Sequence, residues 1–89
     1  MLEYHAAYYP ANDGWYMAKL LDFPGVVTQG KTLNSARLML KDALREMALW
    51  YLEEGTALPL PNPRARDRRA QRVEPMRLTV RIVSGAAAS

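Results

Sequence analysis

The chain has 89 residues, of which 49% are hydrophobic, 24% charged and none cysteine, with a formal net charge of +3. That length supports one domain around one core, and the absence of cysteine excludes disulfides, thiolate catalysis and cysteine-ligated zinc. The amino end has no basic start followed by an apolar run, and the longest apolar run, "MALWYL", is too short for a membrane span.

A cytoplasmic protein without membrane association is therefore expected. Because so small a domain buries a modest share of its surface, a homo-oligomer, dimer or tetramer, is expected as well.

"EYHAAYY" and "WYMAKLL" are aromatic and apolar, and "PANDG" between them supplies Pro10, Asp13 and Gly14, which favour chain reversal. The two segments read as a hairpin. Tyr4 and Tyr8 then share one face of the first strand, His5 and Tyr9 the other. In "FPGV", Pro24 fixes its own φ and Gly25 tolerates positive φ, which predicts a type II turn with proline second and glycine third. The β-branched succession Val26, Val27 and Thr28 predicts a short third strand, ended by Gly30.

Thr32 is the expected N-cap of a helix, with Ser35 in place of the Glu or Gln that would complete a capping box. No Gly or Pro follows until Gly55, the expected stop. Leu33, Ala36, Leu40, Ala43, Leu44, Met47 and Tyr51 gather on one side of that helix and are expected to face the sheet. Leu38, Leu49 and Leu52 lie on another flank beside Asp42 and Arg45. Three aligned exposed leucines predict a second packing surface, for an oligomer or a partner. Tyr8 and Trp15 are taken as further contact residues of that kind.

Residues 56–72 contain three prolines and "RARDRRAQR", and read as an extended connection. In "VEPMRLTVRIV", Met76, Leu78, Val80 and Ile82 alternate with Arg77, Thr79 and Arg81, as in a half-buried strand. Pro75 places the start of that strand at an edge or before regular pairing. Returning after a helical crossover, the strand is expected to run parallel to the first. The architecture is thus α+β, βββαβ, with three antiparallel strands, one long helix over one face and the other face open. Residues 1–83 form the domain and 84–89 a frayed tail.

Charge is uneven: residues 1–63 hold five bases and seven acids, residues 64–89 seven bases and two acids. Arg64, Arg66, Arg68, Arg69, Arg72, Arg77 and Arg81 make a cationic region suited to nucleic acid or an acidic partner.

"GVVTQGKT", Gly25 to Thr32, spells the phosphate-loop pattern G-x-x-x-x-G-K-[ST]. Its context argues against a nucleotide. A turn, not a buried strand, precedes Gly25, the loop positions are strand-forming, and no acid follows a second apolar strand to hold magnesium. His5 is the sole histidine, and Glu3, Asp13 and Asp22 fall at a strand start, a hairpin tip and a turn, which does not converge carboxylates on metal ions. No catalytic residue, metal or cofactor is expected.

Tyr4, Gly14–Tyr16, "DFPG" at 22–25, "TQGKT" at 28–32, Leu33, Ala36, Ala43, Leu44, Gly55, Leu58, Pro59 and Pro61 together resemble the HicB-like antitoxin family. The succession carried by Pro24, Gly25, Gly30 and Thr32 is its sharpest part. The resemblance implies a partial RNase H-like fold that oligomerises and neutralises a small HicA-type ribonuclease toxin by covering it. Many members add a carboxy-terminal DNA-binding segment, for which the residues after Arg81 are too few. The alternative is a standalone oligomeric module that binds RNA or DNA through its basic carboxy-terminal region.

Overall fold

In the computed structural model, which describes residues 2–79, β1 (Leu2–Pro10) and β2 (Tyr16–Leu20) form the expected antiparallel hairpin, with Tyr8 opposite Ala18 and Ala6 opposite Leu20. Asp13 and Gly14 both adopt positive φ, and the Trp15 N–H donates to the Asn12 carbonyl. This is the type I′ twist that matches the twist of the flanking strands. The turn after β2 is type II as expected: Gly25 has φ 87° and the Val26 N–H donates to the Phe23 carbonyl at 3.4 Å. Side chains at Phe23 and Val26 are thereby turned into the core.

β3 (Val27–Gly30) pairs with β2 from Lys19–Val27 to Tyr16–Gly30. The segment that spells a phosphate loop is therefore a pleated edge strand. Lys31, the residue that would reach a phosphate, instead holds its ammonium 5.8 Å from the centre of the Trp15 ring.

α1 spans Leu33–Glu53, and its first turn is capped by the Thr32 hydroxyl, which accepts from the Ser35 N–H at 2.9 Å. It stops in a Schellman motif: the Thr56 N–H donates to the Tyr51 carbonyl at 2.8 Å, and Gly55 takes φ 71°. Ala36, Leu40, Leu44 and Ala48 are buried against the sheet, and Leu33, Ala43, Met47 and Tyr51 pack partly buried beside them. Across the interface lie Tyr4, Ala6 and Tyr8 of β1 and Ala18 and Leu20 of β2. Phe23 joins the layers, its ring centre 5.1 Å from that of Tyr4 and 5.2 Å from that of Tyr51. No helix among the described residues is long and apolar enough to cross a membrane.

The last strand departs from expectation. β4 (Arg72–Leu78) pairs with β1 antiparallel, not parallel, giving the sheet order β3-β2-β1-β4. The reason is the route of the connection. α1 descends the length of the sheet, but the proline- and arginine-rich segment climbs it again before β4 begins, so β4 descends. Hydrogen bonds mark the climb: the Tyr4 hydroxyl donates to the Pro59 carbonyl at 2.7 Å, the Asn62 N–H to Asp22 at 2.9 Å, and the Tyr9 hydroxyl to Asp67 at 2.6 Å. His5 and Tyr9 belong to the face opposite the helix, so that face is partly crossed by the connection and is not simply open.

β4 also begins earlier than expected, at Arg72, and takes in Pro75 opposite His5. This is permitted because β4 is an edge strand, where a missing N–H breaks no second ladder. Val80, Arg81, Ile82 and the tail 84–89 lie outside the described residues.

Asp22 ties three elements together. Its carboxylate, 2% exposed, accepts from the His5 N–H and the Asn62 N–H and lies 2.8 Å from His5 Nδ1. Burial alone pushes this carboxyl up, but the hydrogen bonds from His5 and Asn62 outweigh it and hold it below its ordinary value of 3.8. A carboxyl depressed in the folded state contributes stability that is present above pH 3.8 and lost as the pH falls through the folded value. Asp22→Ala is expected to cost about 1–3 kcal/mol at neutral pH and to flatten the acid limb of stability against pH, as read by urea titration at several pH values.

Gly30 sets the helix. A Cβ there would lie 2.5 Å from the Ala36 nitrogen and 2.8 Å from its Cα, both backbone atoms of α1. Gly30→Ala must push the helix off β3 and is expected to cost about 2–3 kcal/mol, measured by the same titration. An unchanged midpoint would contradict this packing.

Candidate functional site

The outer face of α1 carries more apolar surface than its core-facing role requires. Leu38 is 62% exposed, Leu49 59% and Leu52 41%, on the flank where the sequence places them. Residues eleven apart on a helix differ by only about 20° in direction, so Leu38 and Leu49 stand nearly in line. The same spacing aligns Met39 and Trp50, which are 49% and 55% exposed. The leucine-based reading passes over this second seam, although its signal is the same eleven-residue step. Between the two seams, by the same helical arithmetic, run Asp42, Glu46 and Glu53, all exposed. The outer face is thus two apolar seams with an acidic line between them and the exposed Arg45 within the leucine seam.

Trp15 does not join this surface. It sits half-buried at the hairpin end next to Lys31. Tyr8, expected as a contact residue, is a correction: it is fully buried, because the face it shares with Tyr4 is the one that α1 covers.

The arginines lie elsewhere. Arg64, Arg66, Arg68, Arg69 and Arg72 are all exposed along the connection and the first residue of β4. Asp67, the acid within this run, is turned inward onto the Tyr9 hydroxyl, which lowers its carboxyl below the ordinary value; the Arg69 N–H adds to that effect. The Tyr9 hydroxyl is in turn pushed up to about 12 by burial and by its bond to Asp67. The side-chain contact from Arg69 to Asp67 is long, 3.6 Å, with Arg69 90% exposed, and contributes little. Arg77 pairs with Glu3 at 3.0 Å on β1. The outward-facing charge of the connection is therefore cationic.

Glu3, Asp13 and Asp22 occupy β1, the hairpin turn and the β2–β3 turn, with Asp22 committed to His5 and Asn62. Among the described residues no three His, Asp or Glu side chains gather in a way that could hold a metal ion.

The chain is 37% identical over 62 residues to the antitoxin HicB of Escherichia coli K12, a match covering 70% of this chain and 45% of that protein. It is 33% identical over 66 residues to antitoxin HicB 1 of Photorhabdus laumondii, covering 74% of this chain and 43% of that one. It thus spans less than half the length of these curated relatives. No protein-family model matches the chain. Among solved structures, the amino-terminal domain of the Burkholderia pseudomallei antitoxin HicB superposes with a TM-score of 0.74 at 16% identity, over 89% of this chain and 100% of that domain. The chain is therefore HicB-like, with an α+β sheet-and-helix fold shared with the amino-terminal domain of such an antitoxin.

Proposed function

We infer that the chain acts as the antitoxin of a type II toxin–antitoxin system, neutralising a HicA-type mRNA-cleaving toxin by protein–protein contact, as a homo-oligomer in the cytoplasm and without catalysis of its own. The observation that carries this reading is the outer face of α1 on a HicB-like domain. Leu38, Leu49, Leu52, Met39 and Trp50 supply apolar anchors, and Asp42, Glu46 and Glu53 between them suit a cationic protein surface. Apolar anchors give contact energy, while complementary charge speeds encounter and fixes register.

Co-expression with any small ribonuclease toxin encoded beside it tests the function: growth is expected to be restored by this chain. Leu38→Glu with Leu49→Glu is expected to weaken the complex by about tenfold or more, measured by calorimetry, with the far-UV spectrum unchanged. Absence of any binding by the native chain overturns the antitoxin reading. Binding and solution mass both unaltered by the double variant overturn the assignment of this face.

The inward turn of Asp67, which leaves five exposed arginines without an outward acid among them, favours a second reading in which the basic connection binds RNA or DNA. Affinity for a duplex is then expected to fall with salt with a slope of about −0.9 for each phosphate neutralised, and Arg64→Gln, Arg66→Gln and Arg68→Gln together to reduce that slope by about 3. No binding at low salt removes this reading.

A further inference from the structure

α1 packs most closely over β3, less closely over β2 and more loosely still over β4. The divergence leaves a cleft of about 410 Å³ between the first half of the helix and the edge strand, within the range of small-ligand sites. One wall is helical, with Arg37 and Lys41 one turn apart and Asn34 one turn before; the other is β4, with Glu74 and Arg77. Carbon surface from Leu38, Pro75 and Met76 lies between the polar groups.

Tyr8 forms part of this wall and gives the cleft its chemistry. The residue is 0% exposed, and its O–H donates to no acceptor among the described residues, although the neighbouring Arg37 guanidinium acts on its oxygen. A buried hydroxyl left unpaired is costly and calls for an explanation. Burial, reinforced by the charge of Glu74 and opposed by Arg37, pushes this hydroxyl up to about 12, so it is a proton donor at every physiological pH. The Arg37 guanidinium lies 5.8 Å from the Tyr8 ring centre and bonds Glu74 at 2.7 Å. Both partners of that bridge are partly exposed, at 33% and 27%, so it is a weak bond that an incoming acceptor can replace.

We propose that the cleft between α1 and β4 is a binding site for an oxyanion, the phosphate or carboxylate group of a small ligand, held by Arg37, Lys41 and the Tyr8 hydroxyl. Three donors of the right kind line it. The guanidinium of Arg37 presents a planar fork that fits two oxygens at once. The Lys41 ammonium is exposed and takes part in no ion pair among the described residues. The Tyr8 O–H needs an acceptor and has none. Arg77 adds positive charge at the rim, its own pairing with Glu3 being exposed on both sides at 67% and 49%. Glu74 is the acid in the cleft wall. When an oxyanion takes over Arg37, Glu74 returns to water at little cost because it is already part-exposed. The apolar wall beside the donors then receives the carbon body of the ligand. Nothing in this site depends on a toxin partner.

The test is a titration of the isotope-labelled full chain with inorganic phosphate and, separately, with benzoate, followed by nuclear magnetic resonance of the Arg37 Nε–H and the amides around Lys41 and Glu74. Saturable shifts confined to the cleft are expected, absent when chloride replaces the probe at equal ionic strength. Stronger response to phosphate identifies a phosphorylated ligand, and stronger response to benzoate a carboxylate on an apolar body. Lys41→Gln, at an exposed helical position, is expected to leave folding unchanged and weaken binding severalfold. Tyr8→Phe separates a binding role from a structural one. With no acceptor for its O–H to lose, it is expected to leave the unfolding midpoint of the free chain unchanged or raised, while weakening the anion about tenfold. Shifts spread equally over Arg64–Arg69, no saturation at Arg37, or a Tyr8→Phe chain that is less stable yet binds phosphate as before would each overturn the proposal.

Discussion

The position of α1 is decided where its first turn meets β3. With no side chain at Gly30, the backbone of Ala36 occupies the space that a Cβ would need, and Thr32 caps the helix within two residues of the strand end. From that fixed point the helix crosses the sheet with Ala36, Leu40, Leu44 and Ala48 inward. Two consequences follow from one contact. Drawing the amino end of the helix onto β3 holds it away from β4, which opens the cleft at Tyr8 and Arg37. It also fixes the rotation of the helix, so the seams through Leu38–Leu49 and Met39–Trp50 must face outward.

The second constraint is the return of the chain after α1. A stretch rich in proline and arginine has little apolar surface with which to pack, and its order comes from hydrogen bonds to buried or half-buried polar groups of the sheet and its turns. Asp22 receives it at one end of the sheet and Asp67 fixes it to Tyr9 at the other. Such charge-assisted bonds are roughly twice as strong as neutral ones. By consuming the acids inward, they leave the arginines facing out. The same anchors account for the direction of β4.

Much of this was legible in the sequence because local chemistry decides it. Pro24 and Gly25 permit one turn type in that order, Thr32 and Gly55 bracket the helix, and the β-branched run at Val26 competes successfully with a phosphate loop because strand pairing occupies its amides. What was not legible depends on non-local geometry. Antiparallel β4 follows from hydrogen bonds between residues 40 and 58 positions apart, which no periodicity reports. Tyr8 was misplaced for a related reason. Alternation correctly put it on a face with Tyr4, but which face the helix covers is a matter of handedness and packing. The seam through Met39 and Trp50 was present as a spacing, and was obscured because neither residue repeats a leucine. The similarity to the relatives covers less than half of their length.

The distribution of charge gives the domain two unlike sides. On the outer face of α1, Asp42, Glu46 and Glu53 run between apolar seams, while Arg64, Arg66, Arg68 and Arg69 follow the connection across the opposite face of the sheet. The net charge of +3 is therefore a poor guide to either surface. Exposed charges farther apart than a Debye length, about 8 Å at physiological salt, scarcely sense one another; the sheet, with side chains on both faces, is thicker than that. A cationic protein approaching the helix meets acids and apolar anchors, and a polyanion approaching the connection meets arginines. Because the two partners would use opposite sides, occupancy of one leaves the other accessible, and a basic chain can still present an acidic docking face.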